Sequence, residues 1–300
     1  MYNGVINIYK EKGYTSHDVV AKMRGILKQR KIGHTGTLDP DAVGVLPVCL
    51  GSATRLCDML TDREKEYIAC MRLGVVTDTQ DMSGTILEDR AVKVTEEEIK
   101  EIINSFVGGY AQIPPMYSAI KVDGKRLYEL ARQGKVVERA PRNITFHEIE
   151  IINVDLPDIT FRVLCSKGTY IRTLCHDIGL KAGCGGAMVS LKRTRSGRFS
   201  IDTAITLKQL EQLRDEEKLD EAIILVDKMF EGLADIQIQD IFIKLVENGN
   251  SFYLEQILEQ SIFKDGQEVK VYSQSGRFFG IYKYEEGTAR FVPKRMFLGS

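Results

Sequence analysis

One aspartate, Asp39, sits in GHTGTLDPDAVGVLPVCLG (33–51), a glycine-punctuated stretch that also carries His34, Thr35 and Thr37. Long loops with apolar, uncharged surroundings are backbone shaped for a ligand or an active site. A carboxylate in that setting suits a nucleophile or a base, whereas an arbitrary Asp-Pro would only start a turn. No Gly-Lys-Ser/Thr follows and no G-x-G-x-x-G occurs, so the glycines do not make a nucleotide-phosphate cradle. Asp78 and Asp81 in TDTQDMSG lack the spacing of a calcium loop and read as a turn at the rim of a cleft. Cys175, His176 and Asp177 are sequence neighbours, which a helix would aim in different directions, so no catalytic triad is expected there.

The elements that must position these groups follow from periodicity. A first strand is expected over 3–9. Ser16 reads as an N-cap, followed by an apolar stripe of Val19, Val20, Met23, Ile26 and Leu27 at helical spacing. Residues 32–47 read as loop, 65–74 alternate as a strand, and Thr95 with Glu98 forms a capping box for a helix over 96–106. A helix over 124–133 ending at Gly134, strands near 142–154 and 158–166, and a helix opened by Thr169 complete the first part. Beyond Lys208 the chain is acidic and helical, and past about Asp235 it turns to short strands punctuated by glycine, which suggests a small β-rich barrel. The expected division is therefore 1–234 and 235–300.

At 300 residues and 43% hydrophobic content the chain is long enough for two domains with a buried core. Its net charge of −1 names no partner, yet the charge is unevenly placed. Residues 19–33 hold five bases and no acid, 112–145 hold seven bases against Asp123, Glu129 and Glu138, and 167–198 hold seven bases against Asp177 alone. Such blocks, balanced by acid elsewhere, gather a phosphate backbone onto one face; each alone would also suit a solvated helix face. No apolar run has signal-peptide or membrane-spanning length, so a cytoplasmic protein is expected. The six cysteines form no C-x-x-C and read as free thiols, leaving no metal site in view.

The stretch GHTGTLDPDAVGVLP resembles the signature of the TruB family of pseudouridine synthases. The resemblance continues in order through KEYIACMRLGVVTDTQDMSG (65–84), QIPPMYSAIKVDGKRLYELARQG (112–134), CSKGTYIRTLCHDIG (165–179) and LKRTRSG (191–197), and the tail looks like a PUA-type RNA-binding domain. It implies an α+β fold with a mixed, largely antiparallel central sheet and a C-terminal β-rich PUA-like domain. The implied reaction is isomerisation of uridine 55 in the tRNA T-loop, with Asp39 as catalytic carboxylate, Arg172 as its partner and Tyr67 packing on the flipped base and accepting a proton from carbon 5. Lys65, Tyr170 and Leu191 would line the pocket, His34 would help open the T-loop, and Lys121 and Arg132 would bind the RNA.

No cofactor, metal or obligate protein partner is implied, and the substrate would be the T-stem and loop of tRNA. Two departures stand out. Val43 replaces a usual loop hydroxyl, and Arg198 adds a charge that would make one more phosphate contact. A glycosidase reading would call for a second carboxylate beside Asp39, where the loop offers only Asp41. A non-catalytic RNA-binding protein would need the lysines but not a buried acid.

Overall fold

The computed structural model describes residues 1–122, 124–259 and 261–298; Asp123, counted above in the second basic block, lies outside them. The first part of the chain forms β1 (Gly4–Lys10), α1 (Ser16–Leu27), β2 (Ile32–His34), β3 (Val43–Leu50), α2 (Cys57–Thr61), β4 (Lys65–Leu73), β5 (Val75–Thr77), β6 (Ile86–Asp89) and α3 (Glu96–Asn104). Then come β7 (Gly108–Gln112), β8 (Lys121–Val122), β9 (Lys125–Arg126), α4 (Leu127–Ala131), β10 (Arg142–Asp155), β11 (Asp158–Cys165), α5 (Ile171–Lys181), β12 (Gly186–Ser196), β13 (Phe199–Ser200) and α6 (Leu207–Asp215).

Nine strands make one sheet in the order β1-β3-β12-β4-β11-β10-β7, with β2 beside β3 and β13 beside β12. Every pairing is antiparallel except β12 with β3. The fold is therefore α+β with a mixed, largely antiparallel sheet. Strict alternation in β4 buries Lys65, Tyr67, Ala69, Met71 and Leu73 on one face, as the period of two requires. That face shares a core with Ile99 and Ile103 of α3 and Ile171, Leu174 and Ile178 of α5. A second core joins β1 and β3 to the apolar stripe of α1.

Four local expectations change. Thr15, not Ser16, caps α1: its hydroxyl accepts from Asp18 N, and the Asp18 carboxylate accepts from Thr15 N. Ser16 is instead a buried helical residue whose hydroxyl accepts from Leu38 N at 2.8 Å. The supposed loop 32–47 contains β2 and most of β3, because VGVLPVCL is an apolar run nearly all buried, as in a strand covered on both faces. Residues 124–133 begin as a hairpin, β8–β9, turned at Gly124 with φ +80°, and only 127–131 are helical. Tyr170, not Thr169, occupies the N-cap of α5.

The last part forms β14 (Ala234–Gln237), α7 (Ile243–Glu247), β15 (Phe252–Tyr253), β16 (Glu268–Tyr272), β17 (Phe278–Glu285) and β18 (Arg290–Met296). These five strands build a separate sheet in the order β14-β16-β17-β18-β15, with its own aromatic core. A further cluster is shared between the two parts: Val5, Val45 and Leu56 pack with Ile281 and Phe297. Arg55 donates to Met296 O at 2.6 Å and Arg295 donates back to Arg55 O at 3.2 Å. Among the described residues, no helix is long and apolar enough to cross a membrane.

Candidate active site

Asp39 lies in the loop of residues 35–42, whose flanks are fixed by burial and hydrogen bonds. Leu38 and Ala42 are buried in the core that holds Tyr67, Leu191 and Ile171. Thr35 N donates to Pro47 O at 3.1 Å, and Leu38 N donates to the Ser16 hydroxyl. Tethered on both sides, the Asp39 side chain remains 37% exposed.

Behind it lies Arg172, in the first turn of α5, its side chain only 6% exposed. Its Nε donates to Asp39 Oδ2 at 2.9 Å and its Nη2 to Asp39 Oδ1 at 3.2 Å. A planar guanidinium fixes a carboxylate in this two-point way, which a lysine ammonium cannot reproduce. The remaining donors reach Thr79 O at 3.0 Å and Tyr117 O at 2.9 Å, so one side chain ties three loops together.

A second carboxylate stands at the same arginine, since Asp81 Oδ2 is 3.8 Å from Arg172 Nε. Asp81 Oδ1, however, accepts from Thr79 Oγ1, Ser83 N and Ser83 Oγ, which commits it to shaping its own turn. The turn expected at the cleft rim is thus in contact with the site. Asp41 is exposed and lies 3.8 Å from Lys12. The neighbouring Cys175 and Asp177 also do other work: Cys175 is buried in the core, and Asp177 accepts from the Tyr110 hydroxyl at 2.8 Å.

Tyr67 projects from β4 into the core cluster that includes Leu38 and Leu191. Burial raises the pKa of its hydroxyl, with Arg193 acting in the opposite direction. Tyr170 is held by a buried amide, for Gln112 Nε2 donates to Tyr170 O at 3.0 Å and Gln112 Oε1 accepts from Tyr170 N at 2.8 Å. Gln112 escaped the sequence reading, although a glutamine opening the QIPP segment at the end of a strand was the available signal. Burial likewise raises the Tyr170 pKa.

His34, on β2, accepts from Gly36 N at 3.4 Å, and burial together with Arg193 lowers its pKa. Lys65 is buried on the same face of β4 as Tyr67. Its amine donates to Thr61 O and Arg63 O and closes the connection from α2 to β4, and burial pulls its pKa down to about 8. Lys121 and Arg132 are exposed on β8 and at the end of α4, and the Arg126 and Arg132 guanidiniums lie 5.8 and 5.5 Å from the Tyr128 ring. They belong to a surface cluster that follows Tyr117 in the chain.

The third basic block does not present a uniform face. Lys192 is exposed, while Arg193 is only 1% exposed. Alternation along β12 was the signal for this, and it was hidden by the charge count. Arg198 donates to Lys228 O and pairs with Glu231 at 2.7 Å, with its side chain 40% exposed.

Residues 24–171 match the N-terminal domain model of the TruB family of pseudouridylate synthases, and residues 172–231 match the C-terminal domain model of tRNA pseudouridylate synthase B. A protein described as tRNA pseudouridine synthase B from Alkaliphilus oremlandii is 47% identical over 97% of this chain and 96% of its own length. One of the same description from Lachnoclostridium phytofermentans is 48% identical over 99% of this chain and 100% of its own. Among solved structures, a chain of a Cbf5–Nop10–Gar1 complex superposes with a TM-score of 0.70 at 32% identity, covering 99% of this chain and 85% of that one. With both halves of the Asp39 site inside the matched residues, and with identity sustained along nearly the whole length, the chain belongs to the TruB family of pseudouridylate synthases.

Proposed function

We propose that this isomerase converts uridine to pseudouridine at position 55 in the T-loop of tRNA, with Asp39 as nucleophile acting on an extruded nucleotide. Family membership supports the reaction, uridine to pseudouridine in tRNA. The observation that carries the site assignment is the two-point contact between the half-open Asp39 carboxylate and the buried Arg172 guanidinium. A nucleophile needs one face presented to substrate and its orientation fixed from behind, and this pair supplies both.

In the proposed reaction the bond between ribose and the ring nitrogen breaks, the base turns, and the ribose carbon joins carbon 5. Carbon 5 gives up its proton and the ring nitrogen gains one, so composition is conserved and no redox partner or nucleoside triphosphate is consumed. Asp39 forms a transient bond to one of the two pieces, and that bond is broken again in the course of rejoining the ribose carbon to carbon 5. Tyr67, walled by Leu38 and Leu191, is suited to pack against the base, and Tyr170 borders the same space. The reacting atoms are inaccessible while the uridine is stacked, hence the need for extrusion. The exposed Lys121, Arg126 and Arg132 are suited to the phosphates of the stem, and the tail of residues 235–300 is read as a second RNA contact.

Incubation with an unmodified tRNA transcript, followed by nucleoside mass spectrometry and site mapping, tests the reading. Pseudouridine at position 55 is the expected product, and Asp39→Asn should bind the transcript nearly as well as wild type while converting none. Modification elsewhere would overturn the substrate, and turnover by Asp39→Asn within tenfold of wild type would overturn the nucleophile.

A further inference from the structure

Arg193 occupies the middle of the large sheet. On β12 its register partner is Gly44 of β3 on one side and Tyr67 of β4 on the other. The strands come so close that a Cβ added at Gly44, whose φ is +108°, would stand 2.2 Å from Arg193 O. Glycine is therefore required at that position. Arg193 Nε donates to Val45 O at 2.6 Å, and Nη2 donates to Gly36 O at 3.3 Å. These two carbonyls lie on either side of Asp39 in the chain, so one guanidinium holds both ends of the loop that carries it.

A buried arginine is ordinarily paired with a carboxylate, because an isolated charge is costly to desolvate. The hydrogen bonds of Arg193 go to carbonyl oxygens instead, and an apolar side chain of similar size would fill the same space without that penalty. At 1% exposure it is also closed to an RNA phosphate. Beside it in the sheet stands its cross-strand neighbour Tyr67, on whose hydroxyl Arg193 acts against the effect of burial.

We propose that Arg193 is a positioning residue that ties the Asp39 loop to the Tyr67 hydroxyl, donating to that oxygen so that the ring is held in one orientation where it packs against the base. The inference rests on the role given to Tyr67 above. Stabilising negative charge on the phenol oxygen is the electrostatic counterpart of that geometry, and the effect of Arg193 on Tyr67 is in that direction, against the larger effect of burial.

The test is a double-mutant cycle on single-turnover conversion at saturating tRNA, with Arg193→Lys, Tyr67→Phe and the pair, alongside tRNA affinity and thermal unfolding. Arg193→Lys should slow conversion by about 10- to 100-fold, the scale of one charge-assisted hydrogen bond, with affinity unchanged. The double variant should be no slower than the slower single one, because a residue acting through the hydroxyl has nothing to act on once the hydroxyl is gone. A purely structural role would give multiplying losses, and that result overturns the proposal. Wild-type rates for either single variant overturn it as well. Arg193→Gln, which keeps donors but not charge, is the second variant if the lysine form does not fold. Loss of fold in both would assign Arg193 to the fold and not to the reaction. Failure of the wild type to convert tRNA would instead refute the functional reading itself.

Discussion

Arg172→Lys keeps a positive charge at the site and removes the fork. In the native arrangement Nε and Nη2 meet the two oxygens of Asp39 at 2.9 and 3.2 Å, while Nη1 and Nη2 also satisfy Thr79 O and Tyr117 O. An ammonium at the end of a lysine chain can meet one carboxylate oxygen, leaving the other free to turn. Losing one charge-assisted hydrogen bond costs about 1.5 to 3 kcal/mol, which corresponds to a fall of about 10- to 100-fold in the chemical step. Two carbonyls left short of a donor in a partly buried place would add about 1 to 3 kcal/mol each of lost stability, less wherever water replaces the missing donor. The assay is single-turnover conversion of an unmodified tRNA transcript at saturating enzyme, paired with filter binding and denaturant unfolding. The expected pattern is a slow chemical step, unchanged affinity and lowered stability. A conversion rate within twofold of wild type would refute the claim that two-point orientation of Asp39 matters, and a parallel fall in affinity would mean that Arg172 acts on the RNA instead.

Lys65, with its pKa lowered to about 8 against an ordinary 10.5, predicts a pH effect on stability. Between those values the unfolded chain binds more protons, so stability rises with pH, by about 1 kcal/mol from pH 8 to 9. Wild type should gain that amount relative to Lys65→Met in denaturant melts, and parallel pH profiles would contradict it. Binding of tRNA should weaken steeply with salt, and removing Arg126 and Arg132 together should flatten the logarithmic slope by about one for each phosphate no longer neutralised. An unchanged slope would place the RNA elsewhere.

Much of this site was readable from the chain, and the part that was not has identifiable causes. The alternation of β4 and the capping box of α3 carry their own local signal, and both elements formed as expected. The stretch that begins at Ile32 misled because its glycines suggest a loop, while its burial in the sheet depends on β1 and β12, which are distant in sequence. Arg193 was hidden for a related reason: a run of basic residues suggests a surface, yet on a central strand every second side chain turns inward. The Asp39–Arg172 pairing was reached by resemblance alone, as 133 residues of chain separate the two and no local rule connects them.

The cluster shared by the two sheets has a mechanical meaning. Phe297 lies 5.6 Å from Phe230 and 5.8 Å from Phe278, and the reciprocal bonds of Arg55 and Arg295 seat the tail against the first part of the chain. A module on a flexible tether samples many distances and adapts to any spacing on its partner. A module bolted through shared core side chains holds one distance. On the proposed reading of the tail as a second RNA contact, what it grips would be kept at a set span from Asp39, and the two surfaces would act as the jaws of a caliper. An RNA engaging both must match that span in its folded shape, a form of selection that reads length and curvature and is blind to base sequence.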